Sequence, residues 1–501
     1  MVLICAGLVH QASAQTFNRR YDAVGQGLAQ TGWCVENGSA NDYLVFFNSG
    51  WQDSLFYSSV VCSLRIDEVG EPLDTGRFSY PLHATYPGWA NSSAKRSDGG
   101  FVLGGNTYVA DGTSRAAIFL TDAMGSPEGI IEYGDVGEEW VGRQAKQTPD
   151  GGYVVVGETS TVGVIDAFLV KTDPLGNVEW VRTYGSLQRR DYLETVDSDG
   201  SGGYFLGGQQ EVTNGNYDQW VLRADENGGL IWQQTYGTIY NDFGLAHITS
   251  LADGTALFAG ALTLNASGQQ KPSVVKLAGT SSIIWQNSYG PPRNTSLYVV
   301  QEIEPGGDLI TGGSAYNASN FLSGILLRTT STGDSVWMRD YVYYDAHVAA
   351  GRGAFRDVQP TPDGGFIAVG VALGVAIDTG GVYTQDLWVV KTDQYGCIEP
   401  GCHLIMGVET QITNLRDVLH VSPNPVAQGG HVQVQLDLPA GFKPQGALRI
   451  TITDALGRLL NEKGVSGAIP NFINIQLPTG VYHLHLSDAA RWISGAKLVV
   501  E

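Results

Sequence analysis

Past its first residues, the chain has no run approaching the roughly eighteen consecutive apolar residues that a membrane-spanning helix needs, so none is expected. It is also poor in basic residues: 29 Lys and Arg stand against 50 Asp and Glu, a formal net charge of −21. That balance repels phosphate backbones and anionic headgroups, which excludes nucleic acid as a partner. The acidic residues are spread rather than blocked, as on a solvated surface, so they specify no cation site. No CxxC spacing occurs and the histidines are scattered, so neither a metal centre nor a cofactor is expected.

Catalytic signals are equally sparse. His83, His247 and His347 fall in the central part of the chain without a motif that supplies a nucleophile or a metal. Glu138 with Glu139, and Asp197 with Asp199, would suit a glycosidase or lyase, yet neighbours along a strand point to opposite faces. The segment DSDGSG at 197–202 resembles a calcium loop but lacks the bidentate Glu and sits at a hairpin turn. Among five cysteines, Cys5 falls in a leader-like segment, leaving four for two bridges in an oxidising compartment. Cys397 and Cys402 enclose the turn IEPG, and Cys34 is expected to join Cys62 across two early strands.

What is plentiful is glycine, 66 residues, in a chain that is 43% hydrophobic. Without a collagen triplet, and mixed with runs of Val, Tyr, Trp and Thr, this composition indicates short strands and tight turns, an all-β chain. The segment TPDGGYVVVG at 148–157 returns as TPDGGFIAVG at 361–370. DGG-like turns recur at Asp98, Asp150, Gly202, Asp253, Gly306 and Asp363, a period of about 51 to 58 residues. Lys171, Arg223, Lys276 and Arg328 each precede a Trp (Trp180, Trp232, Trp285, Trp337) at one spacing, with Tyr184, Tyr236, Tyr289 or Tyr341 four further on.

Each period reads as a four-stranded antiparallel meander whose two apolar faces can be buried only against copies of itself. The expectation is a seven-bladed β-propeller over residues 15–402. The last unit has the third strand LWVVK at 387–391, but CIEPGC stands where W-x-x-x-Y is due. FNRRY at 17–21 has the missing spacing, so the beginning of the ring is expected to complete its final sheet. The recurrent cations read as scaffold, their stems on aromatic surface and their charges paired or solvated.

Tight hairpins lie on one face of such a ring, and the longer connections (157–166, 208–218, 260–271, 313–322, 341–355, 370–385) on the other. Function usually resides where loops vary on a rigid frame. Trp51, Trp89, Tyr108, Tyr217, Tyr240, Tyr316, Phe321 and Tyr343 are the candidate ligand-binding residues there, since aromatic platforms suit sugar rings and protein hot spots. No catalytic residue is assigned. The function expected is non-catalytic binding of a glycan or protein. The alternatives are a polysaccharide-degrading enzyme using carboxylates of that face, and a purely structural surface protein.

The ends of the chain concern export. Residues 1–14 hold an apolar stretch and then Ala12-Ser13-Ala14, as a signal peptide would, though without basic residues ahead of it. Residues 403–420 read as a linker, and 421–501 as a small antiparallel β-sandwich. Pro423-Asn424-Pro425, Asp454 with Gly457-Arg458, Gly480 with Tyr482, and Lys497 ahead of the terminal LVV occur there in order. This last sixth of the chain resembles the C-terminal sorting domain of type IX secretion system cargo, and the Gly-rich ring looks like propeller repeats such cargo often carries. The resemblance implies the type IX machinery as partner and a secreted or outer-surface location in a Gram-negative bacterium.

Overall fold

A computed structural model describes residues 15–501 apart from short stretches, the largest being 79–83, 317–321, 345–351, 377–382 and 405–409. The leader-like residues 1–14, Phe321, His83 and His347 therefore lie outside the described residues. The fold is an all-β propeller, and no helix among the described residues is long and apolar enough to cross a membrane.

One unit shows how the repeat works. Strands Glu139–Gln147, Tyr153–Ser160, Ile165–Thr172 and Val178–Tyr184 pair antiparallel in chain order. The first three are largely buried, and the fourth is mostly exposed. The first strand therefore faces the axis and the fourth the rim. The same order recurs in the sheets that begin at Gln30–Asn37, Asp191–Ser198, His247–Ser250 and Thr295–Glu302. In the unit of Phe101–Tyr108 the inner strand is split into Ala84–Pro87 and Ser93–Lys95.

Closure follows the sequence spacing. Strand Phe17–Tyr21 pairs with Tyr383–Thr392, setting Phe17 opposite Lys391 and Tyr21 opposite Leu387. This is the register by which Trp180 meets Lys171 and Tyr184 meets Ala167. Phe17 and Tyr21 are buried, so the N-terminal strand covers what would be an open sheet edge.

Two repeated contacts hold the sheets in place. In several units the Tyr at the end of the fourth strand donates its hydroxyl to a backbone carbonyl in the next sheet: Tyr21 to Gly70, Tyr184 to Gly228, Tyr289 to Gly333 and Tyr341 to Gly396. Those glycines sit at φ +70 to +83, the turn conformation that a side chain resists. Where the third strand carries the recurrent cation, it binds a carboxylate at or near the hairpin turn, as in Lys171 with Asp150 (2.7 Å), Arg223 with Asp199 (2.8 Å), Arg328 with Asp308 (2.9 Å) and Lys276 with Asp253 (3.2 Å).

Cys397 and Cys402 are bonded, with Cα atoms 5.6 Å apart. The expected Cys34–Cys62 bridge is absent, and both thiols are free and buried. Cys34 lies opposite Phe46, and Cys62 opposite Phe47, on the strand that runs between them. Successive residues of that strand face opposite ways, so the two sulfurs enter separate cores on the two sides of the sheet.

Residues 403–420 are also more than a tether. Strand Thr410–Ile412 runs parallel between the outer strand Ser335–Val342 and the C-terminal strand Arg491–Val500, so one sheet continues from the ring into the last part of the chain. Gln411 is fully buried there, donating to the Gly396 carbonyl at 2.6 Å and accepting from the Ile398 N–H. Beyond it, Leu419–Ser422, His431–Leu436 and Asn471–Asn474 form a second small sheet, with one hydrophobic core across both layers. Asn424 clips the last strand by bonds to Lys497 and Val499, Asp454 closes its turn through Arg458 and the positive-φ Gly457, and the Tyr482 hydroxyl donates to Pro478.

Candidate functional site

Around the axis, the inner strands break register at equivalent points: between Gly32 and Cys34, Gly142 and Gln144, Leu193 and Thr195, Leu297 and Val299, and Phe355 and Asp357. A β-bulge adds one residue to a strand and re-aims its side chain. The added residues are Trp33, Arg143, Glu194, Tyr298 and Arg356, and four of them meet across sheet boundaries together with Trp89. Arg356 lies 4.8 Å from the Tyr298 ring centroid and 5.2 Å from that of Trp33. Trp33 meets Trp89 edge-on at 6.4 Å, and Arg143 lies 4.8 Å over Trp89. The result is an arc of aromatic rings and guanidinium groups, Tyr298–Arg356–Trp33–Trp89–Arg143, along consecutive sheets on the long-loop face.

Polar anchors fix this arc. The Trp33 indole donates to Asn48 at 2.7 Å, Tyr298 shares a hydrogen bond with Ser314, and Arg143 forks onto both oxygens of Glu158. Glu194 accepts from Gln209 at 2.8 Å.

Below the arc, the residues after the bulges close the axis. Asn91 reaches across it, donating to Asp357 at 2.9 Å, bonding His247 at 3.1 Å and accepting on its carbonyl from Gln144. The Val35 N–H donates to Asp357 as well. Burial, outweighing these donors, pushes the Asp357 carboxyl up to about 7. Burial and the Lys146 charge push His247 down to about 3, so its imidazole is neutral, donating through Nε2 and accepting on Nδ1 from Val300. The floor is thus a hydrogen-bonded plug rather than an open channel.

Beside the arc opens a cleft of about 550 Å³ whose walls include Tyr240, Asn265, Gln270, Tyr298, Tyr316 and Arg356. Arg356 is the single charged side chain among its described lining residues. Behind Asn241 and Thr263, fully buried Asp242 accepts from the Thr238 and Thr263 N–H groups. Burial, with the neighbouring Asp242 charge, lifts Asp218 to about 6.

Of the aromatic residues picked from sequence, Trp89 belongs to the arc, while Tyr240 and Tyr316 line the cleft. Tyr217 is half-buried against Tyr192, and exposed Tyr108 packs edge-on to Tyr86, away from the arc's contacts. Tyr343 is covered by Arg20, itself paired with Asp386. Trp51 sits near the end of strand Tyr43–Gln52, its side chain outside the described residues. The acidic candidates have structural partners: Glu138 takes the Trp140 indole, Glu139 the Ser114 N–H, Asp197 binds Lys146 and Ser250, and Asp199 binds Arg223. Trp33, Arg143, Glu158, Tyr298 and Arg356 escaped the sequence reading. A faint signal existed, because Arg143 and Arg356 each stand seven residues ahead of the turn Asp150 or Asp363.

No protein-family model and no curated protein matches the chain. Solved structures do. They include an α-L-arabinanase of Penicillium chrysogenum complexed with arabinobiose (11% identity, 76% of this chain and 98% of that one, TM-score 0.38). The α-L-arabinofuranosidase Arb93A of Fusarium graminearum matches at 10% identity over 76% and 97%, TM-score 0.38. The β-fructofuranosidase BmSUC1 of Bombyx mori matches at 12% over 73% and 90%, TM-score 0.31. At these values the likeness assigns no chemistry.

Proposed function

We propose that the chain is a seven-bladed propeller whose long-loop face binds a carbohydrate. The arc of Tyr298, Arg356, Trp33, Trp89 and Arg143 carries this reading. Aromatic faces take the C–H faces of pyranose or furanose rings, and the adjoining cleft offers amides and hydroxyls to sugar hydroxyls. A glycan array probed with the full chain is expected to give specific hits, weakened about tenfold or more by Trp33→Ala or Trp89→Ala. An empty array would remove the proposal.

A second reading, hydrolysis of the bound glycan, rests on Asp218, whose carboxyl, lifted to about 6 by burial and the neighbouring Asp242, would serve as the general acid. Release of reducing ends by the wild type, lost in Asp218→Asn, would establish it. Binding without release would leave recognition alone.

We also propose that residues 421–501 direct export through the type IX machinery. Fused behind a signal peptide and an unrelated carrier, they are expected to deliver it to the surface of a type IX-competent cell. Retention in the periplasm would refute the idea.

A further inference from the structure

We propose that the cleft selects a saccharide bearing a carboxylate, and that Arg356 is the residue that recognises it. This rests on the carbohydrate reading above and names the ligand class. Charge is unevenly paired around the cleft. Three cations near the axis and the cleft have acidic partners, Lys146 with Asp197, Arg143 with Glu158 and Arg293 with Asp340, as do hairpin-face cations such as Lys171 and Arg223. Arg356 has none among the described residues. Its contacts there are the faces of Trp33 and Tyr298, and its Nε is buried without a hydrogen-bond acceptor.

In a chain of net charge −21, a 550 Å³ cleft whose described walls carry one guanidinium and no carboxylate has a charge pattern unlike that of the whole molecule. A buried donor without an acceptor is costly, so such a group in a native fold calls for a partner. The two rings hold the guanidinium plane, which lowers the ordering cost of presenting its fork to a ligand. A planar carboxylate matches that fork with two parallel hydrogen bonds. One guanidinium balances a single charge, which fits a carboxylate better than a dianionic phosphate. The neighbouring Asn265, Gln270, Asn294 and Ser296 are neutral, supplying hydrogen bonds to hydroxyls without repelling the anion.

Calorimetric titration of the full chain tests this with three probes: an oligouronate, the same oligosaccharide with its carboxyl groups reduced to alcohols, and a sulfated oligosaccharide of the same length. The wild type is expected to bind the oligouronate about tenfold or more tighter than the reduced form. Arg356→Gln is expected to bring that ratio close to one, and Arg356→Lys to leave an intermediate preference, since it keeps the charge but not the fork. Equal wild-type affinity for the oligouronate and its reduced form would overturn the carboxylate assignment while leaving the carbohydrate reading intact. A preference for the sulfated probe, or a preference for uronate that survives Arg356→Gln, would do the same. No binding of any probe, with no glycan found on the array, would overturn both readings. If Arg356→Gln does not fold, the wild-type ratio and the Arg356→Lys variant still decide.

Discussion

The two faces of the ring use charge in opposite ways. On the hairpin face one device recurs from unit to unit: a cation on the third strand reaches a carboxylate at the turn below it, and residue types change while the pairing persists, as with Lys171–Asp150 and Arg328–Asp308; in the unit of Phe101–Tyr108, Leu120 takes the cation's place and Arg96 binds the turn carboxylate Asp98. On the long-loop face the equivalent positions carry Trp33, Arg143, Glu194, Tyr298 and Arg356, no two neighbours alike. Repetition marks what every sheet needs in order to stack, and departure from it marks what the molecule needs once. By that criterion the recurrent cations are scaffold and the bulge residues form the candidate site.

The largest break in this comparison is expected at Lys391. Its side chain is wholly buried beneath the closing strand, donating to Asp363 and to the Gln15 carbonyl at 2.6 Å. Asp363 in turn accepts from the Gln15 N–H, so one ion pair ties the beginning of the ring to its last turn. Lys391→Ala leaves a carboxylate and a carbonyl without their donor at the seam, and is expected to cost about 3 kcal/mol in chemical unfolding. The matching Lys276→Ala removes a pair whose Asp253 partner is 55% exposed, and is expected to cost less than about 1 kcal/mol. Equal losses would mean that closure lends no special weight to the seam.

Much of the ring was legible because its signals are local. Asp-Gly-Gly turns, the cation-to-Trp spacing and the final Tyr each mark a fixed place in one sheet, and the spacing of Phe17 and Tyr21 foretold the register of closure. The Cys34–Cys62 pairing failed because nearness within a sheet says nothing of which side a thiol faces. Strand Thr410–Ile412 was missed since three residues give no period to detect, and their pairing partners lie far along the chain. The site was only half visible. Aromatic residues in loops drew notice, whereas the bulge residues lie inside strands and differ in type from unit to unit, so only coordinates assemble them. Tyr343, conspicuous in sequence, is capped by Arg20 from the other end of the ring, a contact no local pattern could announce.

A smaller effect sharpens the contrast through pH. On the hairpin face burial works against ionisation, yet Lys171, Thr148 and the Gly152 N–H hold Asp150 down to about 2, so its pair adds stability above the usual carboxylate range and loses it in strong acid. At the axis, Asp357 meets neutral donors only, and burial holds its carboxyl up near 7. The folded protein therefore binds an extra proton there between about pH 4 and 7, and this contribution fades as pH rises through that window. His247, pushed down to about 3, works in the opposite sense between about pH 3 and 6.5, so the net profile of the wild type is a compromise within one network. Asp357→Asn removes one arm of it. The amide cannot accept from both Val35 and the Asn91 side chain as the carboxyl does, so the variant is expected to melt lower at pH 5. Raising the pH to 8 should then cost it several degrees less in Tm than it costs the wild type. Parallel melting profiles for the two proteins would mean that Asp357 is ionised throughout, and that the axis, like the hairpin face, supplies its charge with a partner.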